Sequence, residues 1–378
     1  MPPSKPIYLD YNATTPLDPD VIAAMRPYLE EHFGNPSSGH WYGVQPRQAV
    51  VEARAHVARL LNCTAEEVLF TSSGSESNNH ALKGAAFALR ERGNHIVTSV
   101  IEHPAVSEVC CWLAERGFEV TSLPVDGHGM VSVADFEAAI RPETILVSVM
   151  HANNEVGTLQ PVAEIARLAR RKGVLVHTDA AQSAGKIPVD VEALGVDLLS
   201  LAGHKLYAPK GIGALYIRRG VRVEKFLHGA GQESGRRAGT ENVLEIVGLG
   251  KACEIARRDL LRNMEHMREM RDALETGLRA RTAAVRVNGH PQQRLPNTLS
   301  VSFCGADAQD LLRAASGRVA ASAGAACHSG GVDISLVLRA MQVPLEYARG
   351  TLRLSTGRMT TSQDIDEATD AIANAVAR

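Results

Sequence analysis

VLVHTDAAQSAGKIPVDVEALGVDLLSLAGHK, residues 174–205, contains two short β-branched and aliphatic runs, VLVHTD and VDLLSL, separated by a helix-length stretch. The first ends on Asp179, and the second is followed closely by His204 and Lys205. Working outward, the pattern recurs at EVLFT (67–71), HIVTSV (95–100), FEVTSL (118–123), TILVSVM (144–150) and ALYIR (214–218). Seven candidate strands therefore alternate with amphipathic helical segments, the rhythm of a largely parallel sheet covered by helices. Within 47–61, Val50, Ala53, Val57, Leu60 and Leu61 fall at helical spacing, and Pro161 is placed to open a further helix.

Beyond about Thr240 the texture changes to a long helical stretch, EIVGLGKACEIARRDLLRNMEHMREMRDALETGLRARTA, read as a bridge between domains. A second α+β region follows, with strands at TLSVSF (298–303), RVAAS (318–322) and TLRLS (351–355) and helices at 307–316, 333–341 and 362–377. The 378 residues leave room for two or three domains. With 40 Lys+Arg against 42 Asp+Glu, nothing calls for nucleic acid or an anionic membrane. The 45% hydrophobic and 22% charged content is that of a globular chain, and few aromatics with 32 glycines suit an α/β fold. Cysteines at 63, 110, 111, 253, 304 and 327 show no disulfide or zinc spacing, so a reducing compartment and no metal are expected. The start lacks an apolar signal region and no run approaches a membrane span, which predicts a soluble cytoplasmic protein.

Functional groups of open α/β sheets gather where strands end. EVLFT runs into Ser72, Ser73, Gly74 and Ser75 ahead of a helical segment. Such a turn is either an anion cradle or a plain N-cap. Asp179 and Lys205 end neighbouring candidate strands and form either one site or a structural ion pair. An amine, a carboxylate and a phosphate cradle are together what pyridoxal 5'-phosphate requires. His103, after the strand HIVTSV, is either a ring-stacking proton carrier or a satisfied loop histidine.

These residues stand within longer motifs: YLDYNATTP (8–16), FGNPSS (33–38), TSSGSESNN (71–79), EHPAV (102–106), HANNEVG (151–157), HTDAAQSAGK (177–186), GHKLYAPKGIGALYIRR (203–219), RAGTEN (237–242), GAACHS (324–329) and LRLSTGR (352–358). In these the chain resembles, over nearly its whole length, the cysteine desulfurases and selenocysteine lyases of the class V aminotransferase group. The resemblance implies the PLP-dependent transferase fold of type I. A large cofactor domain is expected at 17–260, and a small α+β domain, from 1–16 and 261–378, carries the reactive cysteine loop. It implies that Lys205 forms the Schiff base, Asp179 partners the pyridine nitrogen and Gln182 bonds the ring hydroxyl. His103 stacks on the ring and moves protons, Gly74, Ser75 and His204 hold the phosphate, and Thr240 reaches it from the partner of a homodimer. Asn154 and Arg353 take the substrate carboxylate, and Cys327 is the reactive thiol on a mobile loop.

The expected activity is conversion of L-cysteine to L-alanine, with sulfur left on Cys327 as a persulfide and then passed to a sulfur-acceptor protein. Release of selenium from L-selenocysteine is the alternative, and a class V aminotransferase is a third reading. Ala202 stands where many desulfurases have a serine, and Ala326-Cys327-His328-Ser329 is similar to the lyases. The sequence stops at Arg378, directly after its last candidate helix, without the extension that housekeeping desulfurases use to dock a scaffold, so the acceptor is open.

Overall fold

The computed structural model describes residues 5–328 and 331–377. All seven candidate strands form one sheet, in the spatial order Val68–Thr71, Gly213–Ile217, Leu198–Ala202, Leu175–Asp179, Thr144–Ser148, His95–Ser99, Glu119–Leu123. Gly213–Ile217 is antiparallel to both neighbours, and the other pairings are parallel. Helices cover both faces, so the central strands are fully buried, and that is why they read as unbroken apolar runs. The partly exposed edge strand Glu119–Leu123 carries polar residues. One polar ladder crosses the interior: His177 bonds Ser148 Oγ at 2.8 Å and Ser200 Oγ at 3.0 Å on the two adjacent strands. Burial pushes this imidazole down to about 3, so it is neutral and fully partnered.

The six strands other than Gly213–Ile217 run the same way, so their carboxyl ends share one edge. From His95–Ser99 the chain goes to one side, to Glu119–Leu123, and then to the other, to Thr144–Ser148; such a reversal opens a crevice at that edge. The helix Gly74–Ala88 starts there. Ser73 caps it by accepting from Glu76 N at 3.1 Å. Its Ala81, Leu82, Ala85 and Ala86 pack on Leu69, Ile96, Leu146 and Leu198 of the sheet. A side chain at Gly213 would stand 2.6 Å from the Ser73 carbonyl carbon, so glycine is what lets the turn lie against the sheet.

A second core surrounds the antiparallel sheet Ser322–Ala323, Thr351–Ser355, Thr298–Phe303, Val285–Asn288. Leu274, Leu278, Leu299, Phe303, Leu354 and Ile372 are buried in it, each contributing roughly 1.5–3 kcal/mol. The chain start belongs here, since Ile7–Tyr8 pairs with Val319–Ala320. A hairpin of Ala325–His328 and Gly331–Ile334 projects beside this sheet, with Cys327 opposite Val332 in its register.

Several elements differ from the sequence expectation. The long helical stretch is two helices, Val243–Arg258 and Leu260–Arg281, broken at Asp259, whose carboxylate pairs with Arg258 and Arg262. Val285–Asn288 is a strand that its single turn of alternating residues did not announce. The helix expected at 333–341 shortens to Leu336–Ala340, because 331–334 is drawn into the hairpin and Ser335 caps the helix. Pro161 is the N-cap of Val162–Arg171, not its first turn. No helix among the described residues is long and apolar enough to cross a membrane.

Candidate active site

Segments following five strand ends close around a cavity of about 290 Å³. Of the predicted residues, Gly74, Ser75, His103, Asn154, Asp179, Gln182, His204 and Lys205 all line it. The pairing of Asp179 with Ser200 shows why: the aspartate and the lysine leave adjacent parallel strands at the same edge.

Lys205 Nζ donates to the carbonyl oxygens of Asn12 and, at 2.7 Å, Ala13. Burial and then the Arg353 charge bring this amine down to about 8, against the pull of Asp10 and Asp179, so a useful fraction is neutral near physiological pH. The buried Asp179 carboxylate accepts from Asn78 Nδ2 at 2.7 Å and Ala181 N at 2.9 Å. Both of its oxygens thus meet donors. His103 caps the helix Pro104–Ala114, and its Nδ1 accepts from Ala105 N at 3.0 Å. With Nδ1 used as an acceptor, the ring proton is on Nε2. Burial lowers the pKa of His103, with Asp179 opposing and Lys205 adding to the shift, and the ring is neutral.

At the other end of the cavity, Ser73 takes the Glu76 amide, while the amides of Gly74 and Ser75 open the helix without intrahelical acceptors. An anion is favoured there by the unpaired N–H groups and the dipole. His204 Nδ1 lies 3.2 Å from Thr14 Oγ1, and burial together with Lys205 and Lys210 lowers it to about 4.

Arg353 does not line the cavity. It lies behind Asn154, with Nη1 donating to the Asn154 carbonyl at 3.3 Å and Nη2 donating to Asp10 Oδ1 at 2.9 Å and Ser322 Oγ at 3.0 Å. Its buried Nε has no hydrogen-bond partner among the described residues. Thr240 is elsewhere, on a separate concavity of about 240 Å³ with Ser72 and Arg237. Its loop is clamped by forked pairs of Arg237 with Glu76 and Arg54 with Glu233. The Cys327 side chain lies outside the described part of the structure.

Sequence reasoning assigned no role to Asn12, which the structure puts at the centre. Its carbonyl receives Lys205 and, at 3.0 Å, Gln182 Nε2; its Oδ1 receives Lys186 and Asn297; its Nδ2 donates to Thr298 Oγ1 and the Asn154 carbonyl. Glu102, beside His103, was likewise passed over. Its Oε1 accepts from Ser99 Oγ at 2.6 Å and Met150 N at 2.9 Å, and its buried Oε2 has no partner among the described residues. For Asn12 the one signal was membership of the motif at 8–16.

The donor set fits pyridoxal 5'-phosphate: an amine, a carboxyl group across the cavity, an amide and an imidazole at the walls, and a helix N-terminus with a serine for the phosphate. The buried Asn78 Oδ1, without a hydrogen-bond partner among the described residues, leaves further polar capacity in the same wall.

The family model for aminotransferase class-V matches residues 7–368. A curated relative, the cysteine desulfurase IscS of Dictyoglomus turgidum, is 46% identical over 97% of this chain and 93% of its own length. The cysteine desulfurase IscS of Methanosarcina thermophila is 48% identical over 98% and 91%. Among solved structures, a NifS-like protein superposes with a TM-score of 0.92 at 38% identity, covering 98% of each chain.

Proposed function

The chain belongs to the aminotransferase class-V family, and we propose that it is a pyridoxal 5'-phosphate-dependent cysteine desulfurase converting L-cysteine to L-alanine and a persulfide on Cys327. The observation that carries the reading is the meeting of Lys205, Asp179 and His103 with the N-terminus of Gly74–Ala88 in one cavity. When bound, the cofactor supplies an electron sink that labilises the bonds at the substrate Cα.

The residues divide the remaining work. Lys205 would hold the cofactor covalently. Asp179, bonded by Asn78 and Ala181, would pair with the ring nitrogen, Gln182 with the ring oxygen, and Gly74, Ser75 and His204 with the phosphate. The Lys205 amine, which burial brings down to about 8, would take the proton from the substrate Cα. His103 would lie against the ring as a neutral imidazole whose Nε2 proton is available for transfer. Arg353 and Asn154 orient the substrate carboxylate. The Cys327 thiolate then attacks the substrate sulfur. An S–S bond forms as the Cβ–Sγ bond breaks, and the carbon fragment keeps that electron pair and leaves, after protonation, as alanine. Burial pushes the Cys63, Cys110 and Cys253 thiols up to about 12, which suits inert positions.

A homodimer completes the reading. Thr240 lies away from the cavity that holds Lys205, and Phe33, Trp41 and Tyr42 form an exposed aromatic cluster; both support a second copy, one that brings its Thr240 to this cavity and covers the aromatics. A sulfur-acceptor protein receives the persulfide. The test is incubation of the holoenzyme with cysteine and, separately, selenocysteine. Alanine and sulfide should form one-for-one from cysteine in the presence of a reductant, and Cys327→Ala should lose this while still binding the cofactor. Full cysteine activity in Cys327→Ala refutes the persulfide route. Turnover confined to selenocysteine establishes the lyase instead, and a pyridoxamine and keto acid product establishes the aminotransferase.

A further inference from the structure

Lys186 is a buried amine that the chemistry above leaves unused. It does not reach the cofactor cavity; it lies behind the wall, at a void of about 10 Å³ that Lys205 also touches. Its Nζ donates to Gln182 Oε1 at 3.0 Å and Asn12 Oδ1 at 3.1 Å. The amides around it are assigned without ambiguity. Asn297 Nδ2 donates to Asn12 Oδ1 and to the Thr356 carbonyl, so Asn12 Oδ1 faces two donors. Asn12 Nδ2 faces Thr298 Oγ1, whose own proton goes to Asn297 Oδ1. Gln182 has Oε1 turned to Lys186 and one Nε2 hydrogen given to the Asn12 carbonyl. The second Nε2 hydrogen is what this side chain can present to the cavity it lines.

We propose that Lys186 is a positioning residue of the cofactor site, holding the Gln182 amide with its NH₂ group towards the ring oxygen. The inference rests on the reading, made above, that Gln182 bonds that oxygen. An amide turned the other way would set a carbonyl oxygen against the Asn12 carbonyl and another lone pair against the cofactor. Burial and the nearby Lys205 and Arg353 charges favour a neutral Lys186. A neutral amine carries two hydrogens, one for each of its two acceptors. Methionine ends one atom short of the amine position and has no hydrogen to give, so it leaves Gln182 Oε1 without a donor in a buried place, where a lost partner is costly.

The test follows the visible absorbance of the reconstituted holoenzyme against pH, together with its cofactor Kd. The titratable groups on the cavity wall, Asp179, Lys205, His103 and His204, and the Arg353–Asp10 pair behind Asn154 are the same in every variant. Gln182→Leu, which removes the donor outright, should raise the pH of the spectral transition by about one unit and the cofactor Kd about tenfold. Lys186→Met should reproduce most of both shifts, and adding it to Gln182→Leu should change neither further. Lys186→Gln, which keeps a donor, should stay near the parent protein. If Gln182→Leu moves the transition and Lys186→Met does not, the role given to Lys186 is wrong while that of Gln182 stands. If Gln182→Leu leaves the transition in place, the Gln182 reading itself fails and takes the inference with it. Should Lys186→Met not fold, a full shift in Lys186→Gln still overturns the proposal.

Discussion

Replacing Glu102 by glutamine should abolish a loss of stability that accompanies rising pH. The Glu102 carboxyl is enclosed, its Oε1 accepts from Ser99 and Met150, and its Oε2 meets no donor or acceptor among the described residues. Burial, with a smaller contribution from Asp179, pushes the acid from an ordinary value near 4.5 up to about 8, against the two hydrogen bonds. The native protein therefore keeps a proton that the unfolded chain gives up above pH 4.5. Stability supplied by this group is complete below that pH and drains away up to about pH 8. Between pH 5.5 and 7.5 the two states differ by close to one proton, so the slope approaches 1.4 kcal/mol per pH unit, and the fall is about 2.5 kcal/mol. Glutamine keeps the oxygen that Ser99 and Met150 need and puts an NH₂ where the acid has its unpartnered O–H. With the neutral side chains equivalent, the two proteins should match well below pH 4.5, differ by about 1.4 kcal/mol in the variant's favour at pH 5.5, and differ by about 4 kcal/mol at pH 7.5. Urea unfolding of both at half-unit steps from pH 5.5 to 8.5 measures this, with all other titrations cancelling in the difference. A difference that stays flat across the range would refute a protonated Glu102. Because His103 is the next residue, the same proton bears on the backbone that carries the imidazole.

Two further perturbations follow from the site. Arg353→Lys surrenders the planar fork that spans Asn154, Asp10 and Ser322; KM for cysteine should rise about 30-fold with cofactor affinity unchanged, as read by steady-state kinetics and a cofactor titration. Ala202→Ser adds a hydroxyl to the cavity wall next to Gly74, where a side-chain carbon would lie 3.0 Å from Ala202 Cβ. The cofactor Kd should fall about fivefold by fluorescence titration, and an unchanged value would place the phosphate elsewhere.

The large sheet was readable because its central strands are buried on both faces and so stand out as apolar runs. Its spatial order was not, since crossovers of helical length can return on either side of an existing strand. The nearness of Asp179 and Lys205 was readable for a simple reason: they end adjacent runs, and parallel neighbours end at the same edge. Asn12 was invisible, because its partners Lys186, Asn297 and Ser355 are far along the chain and no local pattern joins them. Glu102 was hidden for another reason. A carboxylate after a strand reads as a solvated turn residue, and only the packed surroundings show that it is enclosed. The break at Asp259 went unseen because aspartate interrupts a helix weakly compared with glycine or proline.

The seating of the chain start has a consequence for how the enzyme comes into being. Residues 7–9 are pinned to the second sheet, and Asn12 then enters the wall of the cavity, where its amide reaches Ser355. These are contacts of very high contact order, and Asn12 and Ser355 lie 343 positions apart. The large sheet has all its strands by Ile217, yet the pocket it frames stays incomplete until Ser355 has been made and has met Asn12. A ligand that binds the finished pocket stabilises only chains in which these two segments have joined. Cofactor capture would thus favour chains that have closed this long-range contact over those cut short before it.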